Sequence, residues 1–185
     1  MTSHHRIRAL INRLARLDAA GGWSDSLNPA QTAALDYLAR ANRYSRAPSH
    51  VADYLGTTRG TMSQTLKTLA RKGFVREEPK TGDQRSISYG VTAEGQALAE
   101  APSVIRGALT TMQDAETAAL EEALSATLRA ALETRGGRPF GLCRTCAYHD
   151  AGPADGYCTL LQLPLQPGDR DLICVEHKAL SDDTT

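Results

Sequence analysis

The segment TTRGTMSQTLKTLARKG, residues 57–73, constrains this chain more than any other. Met62, Leu66 and Leu69 fall at i, i+4 and i+7, the single apolar stripe of an amphipathic helix. Thr57 or Thr58 supplies the N-terminal cap, and Gly73 stands where a C-terminal cap belongs. Off the stripe the side chains are small, polar or cationic, and no acidic residue interrupts them. Such a helix buries one face in a core and turns the other toward a polyanion. Before it, Pro48-Ser49 opens a short helix with Val51 and Leu55 inward, broken by Gly56. After it, FVREEP and SISYGV read as short strands joined by the charged, turn-rich KTGDQR, which makes a β-hairpin. Helix, turn, helix and hairpin in this order predict a winged helix-turn-helix, whose second helix enters the DNA major groove.

The residues off the stripe form the candidate DNA-binding set: Thr58, Arg59, Gly60, Thr61, Ser63, Gln64, Lys67, Thr68 and Arg71. Gln64 has the amide geometry to pair with adenine, and Arg59 can reach guanine or a phosphate. Arg85, in the hairpin loop, is placed for the minor groove or the backbone, and Lys80 for a phosphate. Charge agrees with this assignment. The chain has zero net charge, yet residues 40–90 carry ten Lys and Arg against four Asp and Glu. A basic middle between acidic flanks offers one face to a polyanion.

The flanks are helical. Ile7, Leu10, Ile11, Leu14 and Leu17 recur at helical spacing over residues 4–19, and Gly21-Gly22 ends that run. Asn28-Pro29 is a cap followed by proline at the first helical position, with Leu35 and Leu38 as the stripe. Thr92 caps TAEGQALAEA, and Pro102 ends or kinks it. Asp114 is read as the cap of a long helix in which Leu120, Leu124, Leu128 and Leu132 recur every fourth residue. The fold class is therefore mainly α with a small β-hairpin wing.

From about Leu27 to Leu132 the chain resembles the MarR family of bacterial transcriptional regulators. The resemblance is carried by LNPAQTAALDYLARAN, by PSHVADYLGTTRGTMSQTLKTLARKGFVREEPKTGDQRSISYGVTAEGQAL and by the leucine-rich last helix. Asp83-Gln84-Arg85 stands for the Asp-x-Arg of the family's wing, and Val91-Thr92-Ala93-Glu94-Gly95 follows it. The resemblance implies a homodimer, with N- and C-terminal helices intertwined so that two winged-helix lobes meet a palindromic operator in double-stranded DNA. Its divisions would be an N-terminal dimerisation helix at 1–27, the winged helix at 28–100, C-terminal dimerisation helices at 101–136, and a cysteine-rich segment with a tail at 137–185. Many relatives bind a phenolic or other small anion between the lobes and the dimer helices. No residue set here commits the chain to a small-molecule effector of that kind.

The last segment lies outside the resemblance. Its cysteines are spaced Cys143-x2-Cys146-x11-Cys158-x15-Cys174. No apolar run approaches the roughly 18 residues of a membrane helix, and the N-terminus lacks a secretory h-region, so a soluble cytoplasmic protein with no membrane partner is expected. In that compartment four thiols point away from disulfides. Four thiolates can close a tetrahedral zinc site or hold an iron–sulfur cluster such as [4Fe–4S], with His149 and His177 as further candidate ligands. The Cys174-x2-His177 pair imitates a second zinc knuckle. Uneven spacing suits a cluster or a thiol redox sensor that switches DNA binding. Four unliganded thiols are the third reading. His4 and His5 receive no role. Cys143-x2-Cys146 could serve a thiol oxidoreductase, but no thioredoxin-like βαβ unit surrounds it. With no nucleophile–base set, phosphate loop or HExxH either, no enzymatic activity is expected. A protein-interaction adaptor that docks a partner through the cysteine module is the remaining alternative.

Overall fold

The structure, a computed structural model, describes residues 2–21, 27–80, 83–152 and 156–180, with backbone alone at Lys80 and residues 83–86. Its order is α1 (Ser3–Gly21), α2 (Pro29–Arg40), α3 (Pro48–Leu55), α4 (Arg59–Arg71), β1 (Val75–Lys80), β2 (Asp83–Val91), α5 (Ala93–Ala99), α6 (Val104–Leu109) and α7 (Asp114–Arg135). Five two-residue strands follow: β3 (Gly141–Leu142), β4 (His149–Asp150), β5 (Tyr157–Cys158), β6 (Leu163–Pro164) and β7 (Ile173–Cys174). The expected class holds: a mainly helical chain with a small antiparallel wing.

The caps define the lobe. Asn28 accepts from the Gln31 amide at 2.9 Å, and the Gln31 side chain answers to the Asn28 amide at 3.3 Å, a reciprocal capping box. Thr58 caps α4 through the Thr61 amide at 3.1 Å. Thr92 caps α5, and its hydroxyl also donates to the Gly73 carbonyl at 2.8 Å, which ties α5 to the turn after α4. Leu35, Leu38, Val51, Met62, Leu66 and Leu69 are buried, so the stripes read from spacing do meet in one core. Tyr37 and Tyr89 join them, and so does Ile173 from the cysteine-rich segment.

Three local readings change. α7 is capped by Gln113, whose amide nitrogen donates to Glu116 at 3.1 Å, and Asp114 is the first helical residue. Asp114 still carries its charge at the positive end of the helix. A six-residue helix, α6, occupies the stretch after Pro102, capped by Ser103 through the Arg106 amide at 3.0 Å. Residues 83–85, expected in the hairpin loop, fall within β2, which begins at Asp83, opposite Lys80. The register shifts between Pro79 and Lys80, and a proline, which has no N–H to give the ladder, is tolerated at such an irregularity.

α1 and α7 bury little. Ile7, Leu10, Ile11, Leu14 and Leu17 on α1 are exposed, Leu10 by 58%, as are Leu120, Leu124 and Leu128 on α7. Leu132 is half-buried, and Leu132 Cδ2 would lie 2.7 Å from a Cβ added at Gly137. The expected stripes exist and face outward.

Gly95 shows where packing admits no side chain. A Cβ there would sit 2.0 Å from the Phe74 carbonyl oxygen, a backbone atom that cannot yield. Gly95→Ala is expected to cost about 1–3 kcal/mol. Gly60→Ala, where a Cβ meets nothing within 4 Å, should stabilise by up to about 1 kcal/mol. Urea titration of both variants checks the pair, and equal midpoints would refute it. Burial also holds two phenols neutral. Tyr37 is raised above its ordinary value, and Tyr89 is pushed from 10.0 up to about 12 by burial and by its hydrogen bond to Glu77. A raised pKa means that the folded state keeps a proton the unfolded chain releases. Stability from Tyr89 is therefore complete below pH 10 and lost as pH rises toward 12. Urea midpoints should fall across that window, and fall less in Tyr89→Phe.

Candidate nucleic-acid interface and cysteine-lined pocket

α4 presents two different faces. Its buried side is Met62, Leu66 and Leu69. Thr58, Arg59, Gly60, Thr61, Gln64, Lys67 and Arg71 are exposed, and Ser63 and Thr68 are half-buried. Two of these predicted contacts also serve the helix itself. Thr58 is the cap, and the Thr68 hydroxyl donates to the Gln64 carbonyl at 3.0 Å while accepting from Arg71 at 3.0 Å. Arg59, Gln64 and Lys67 carry the outward functional groups best matched to base edges and phosphates. The side chains of Lys80 and Arg85 lie outside the described residues. Their backbone sits in β1 and β2 beside the hairpin tip, and the placement of their charged groups is not described.

The four cysteines converge. Cys143, Cys146, Cys158 and Cys174 line one cavity, walled by Tyr148, His149, Leu161, Leu165 and Glu176. All four are free thiols. Chain reversals bring them together: β3 pairs with β7, and β4, β5 and β6 form a three-stranded antiparallel sheet. Gly156, at φ 94°, keeps the turn into β5 close, since a Cβ there would lie 2.7 Å from His149 Nε2. Among the described residues, no group of three His, Cys, Asp or Glu side chains is arranged to hold a single metal ion. His149 stands on the cavity wall. His177 turns elsewhere: its Nε2 lies 3.0 Å from the Thr145 hydroxyl, and its ring packs on Gly141. Burial lowers the His177 pKa, against an opposing hydrogen bond with the Thr145 backbone.

Three of the four sulfurs have hydrogen-bond partners: Cys143, Cys146 and Cys174. The Lys178 amide donates to Cys146 Sγ at 3.4 Å, and Asn42 Nδ2 donates to Cys143 Sγ at 3.5 Å. The Cys143 and Cys174 thiols are within hydrogen-bond reach of each other. The hydrogen bond between them lowers Cys174 and raises Cys143, and Asn42, the Glu176 amide and Ser45 add further donors at Cys174.

Asn42 and Ser45 were not among the predicted site residues, and they join the two halves of the molecule. Both lie in the turn between α2 and α3. Asn42 is 1% exposed. Its Oδ1 accepts from the Tyr44 amide at 3.1 Å and the Ser45 hydroxyl at 2.7 Å, and its backbone N–H donates to the Ile173 carbonyl at 2.9 Å. Ser45 Oγ accepts from the Val175 amide at 2.8 Å, and the Ser45 carbonyl accepts from Tyr37 Oη at 2.8 Å. One residue on, the Arg46 carbonyl accepts from the Tyr89 amide of the wing at 3.2 Å. Arg43 pairs with the buried Asp169 at 3.5 Å. The nearby sequence ARANRYS carries no local signal of any of this, because every partner in the cysteine segment is over a hundred residues away.

Comparison with known proteins agrees with this geometry. Residues 25–86 match the model of the MarR family. No protein of curated function matches the chain. Among solved structures, the S. aureus MepR–DNA complex is 20% identical, with 70% of this chain and 98% of that one covered at a TM-score of 0.54. Wild-type E. coli MarR in its apo form is 21% identical, covering 69% and 98% at 0.53. The transcriptional regulator SlyA is 18% identical, covering 72% and 96% at 0.54. The cysteine-rich segment lies beyond the family match, and the remainder folds as a winged helix of the MarR type.

Proposed function

We propose that this protein is a sequence-specific DNA-binding transcriptional regulator, a homodimer on a palindromic operator, whose cysteine pocket holds a zinc ion or an iron–sulfur cluster. The observation that carries the DNA reading is the exposed, acid-free face of α4 behind a fully buried apolar stripe. Arg59 and Lys67 would meet phosphates or guanine, and Gln64 a base edge. Thr58, Gly60, Thr61, Ser63, Thr68 and Arg71 would complete the surface, with Lys80 and Arg85 on the wing. A MarR-type relative, MepR of S. aureus, has been crystallised with DNA, which supports the same use of this fold.

The dimer reading rests on the outward apolar stripes of α1 and α7. A helix that exposes its stripe leaves apolar area unburied, and a second copy would cover it. Two lobes held at a fixed spacing would read two half-sites. The metal reading rests on four cysteines from three separated stretches around one cavity, with N–H donors on the Cys143 and Cys146 sulfurs.

Duplex selection from random sequence, followed by fluorescence anisotropy, tests the reading. A palindromic motif should emerge. Arg59→Ala and Lys67→Ala should each weaken binding about tenfold, and each lost phosphate contact should reduce the salt slope by about one. Unchanged affinity in an Arg59→Ala/Arg85→Ala double variant would remove the docking model. Leu10→Glu combined with Leu124→Glu should convert a dimer to a monomer in sedimentation velocity and weaken operator binding at least tenfold. A wild-type monomer would contradict the assembly.

A further inference from the structure

The buried thiols Cys143 and Cys174 meet where the cysteine segment is bonded to the turn before α3. We propose that this pair is a redox site: hydrogen peroxide oxidises it to an intramolecular disulfide, and that bond, acting through the turn of Asn42 and Ser45, weakens DNA binding. The disulfide itself is independent of the function proposed above, and only its consequence for DNA rests on that reading.

The pairing follows from the ladder. β3 and β7 run antiparallel, with Gly141 opposite Cys174 and Leu142 opposite Ile173, and the Cys143 amide continues the ladder to the Leu172 carbonyl at 3.4 Å. Cys143 and Cys174 are therefore diagonal neighbours on one face of the pair. There they pack in one buried cluster with Leu165, and their thiols come within hydrogen-bond reach. Cys146 is also buried but lies outside that cluster, and its sulfur accepts from the Lys178 amide at 3.4 Å. The cavity beside the pair is about 20 Å³, room for a molecule close to the size of water. Hydrogen peroxide is the common oxidant nearest that size. The reaction balances without any other reagent. One thiol attacks the peroxide as thiolate, the O–O bond breaks, and a sulfenic acid forms as water leaves. The second sulfur attacks the first, the S–S bond forms, and the sulfenic oxygen leaves as water. The two thiols give up two electrons and two protons, and the peroxide takes both.

Three hydrogen bonds tie the pair to the turn. Asn42 Nδ2 donates to Cys143 Sγ, the Asn42 backbone N–H donates to the Ile173 carbonyl, and the Val175 amide donates to Ser45 Oγ. Ile173 and Val175 flank Cys174 on either side. Disulfide formation draws the two sulfurs from hydrogen-bond reach to bonding distance, and the backbone on both sides of Cys174 moves with them. Asn42 Oδ1 is committed to Tyr44 and Ser45, so Nδ2 cannot follow Cys143 without disturbing the turn. A buried amide left without its acceptor is costly, so the turn rearranges. The Arg46 carbonyl in that turn accepts from the Tyr89 amide of the wing, and α3 begins just beyond it at Pro48 and packs on α4. Oxidation thus shifts α3 and the wing out of the arrangement that presents the α4 face. Sulfurs joined to each other cannot both ligate a metal, so disulfide formation and metal binding exclude one another at this pair.

The test uses the full chain, purified under reducing conditions and treated with hydrogen peroxide both as purified and after incubation with a chelator. Disulfides are mapped by mass spectrometry of peptides from the unreduced protein, and affinity for the selected duplex is measured before oxidation, after it, and after dithiothreitol. Mapping should give a Cys143–Cys174 disulfide within one chain, affinity should fall at least about fivefold, and dithiothreitol should restore it. Cys143→Ser and Cys174→Ser should each lose both the disulfide and the change in affinity. If either variant fails to fold, mapping and reversal in the wild type still decide the matter. Asn42→Ala should form the disulfide yet reduce the change in affinity below about twofold, and Ser45→Ala serves in its place if that variant does not fold. A Cys143–Cys146 bond, a bond between chains, or no bond even after chelation overturns the assignment of the pair. Equal affinity of the reduced and disulfide forms overturns the coupling, and an unaltered ratio in the variant at Asn42 or Ser45 overturns the route through the turn. A mapped disulfide with no duplex selected by either form would sink the DNA reading and the coupling while leaving the redox site standing.

Discussion

The Asn42 side chain is the contact on which the two halves of this molecule depend. It is buried, and it has two distinct polar ends. Its carbonyl end closes the turn between α2 and α3 through Tyr44 and Ser45, and its amide end reaches a cysteine sulfur. A buried amide with a missing partner costs roughly 1–3 kcal/mol, so both ends constrain their surroundings. The turn holds the start of α3 and accepts a hydrogen bond from the wing. The cysteine segment cannot shift against the winged helix without breaking part of this set, and α3 cannot shift without disturbing the segment.

This arrangement alters how the C-terminal region should be regarded. A short segment with few apolar residues cannot build a core by itself. Here it borrows one. Ile173 enters the core of the lobe, Phe140 packs edge-on to Tyr54 at 5.2 Å, and Arg43 reaches across to Asp169. The cysteines then need only shape a cavity, because the lobe supplies the anchoring. The α4 surface is separately organised, since its outward residues depend on Thr58 capping and the stripe beneath, and neither involves the cysteines directly.

Much of this could be read from the sequence, for identifiable reasons. α2, α4 and α5 announce themselves with capping residues at the right offsets (Asn28 with Gln31, Thr58, Thr92) and with apolar spacing that one buried face requires. The wing followed from two short runs around a charged turn, although strand pairing extended to Asp83, where charge had suggested a loop. α6 was invisible because six residues provide too little periodicity to separate helix from linker. The cysteines could be counted and spaced, but which ones meet depends on tertiary turns. Cys174-x2-His177 looked like a knuckle, yet local geometry sends the two side chains in different directions, His177 toward Thr145 and Gly141. Asn42 could not have been singled out, because its meaning comes from Cys143, 101 positions later.

That separation has a consequence for how the chain reaches its native state. Ser45 bonds to Val175 across 130 positions, while the contacts of α2, α3 and α4 with one another are mostly close in sequence. Near contacts form early and distant ones wait on loop closure. During synthesis, which proceeds from the N-terminus, the three helices and the wing emerge well before Ile173. The lobe therefore spends that interval with a gap in its core and an unanswered amide at Asn42. Closing the gap is a late step, and it brings the last cysteine to the cavity in the same movement, so completion of the lobe and assembly of the four-thiol ring are one folding event.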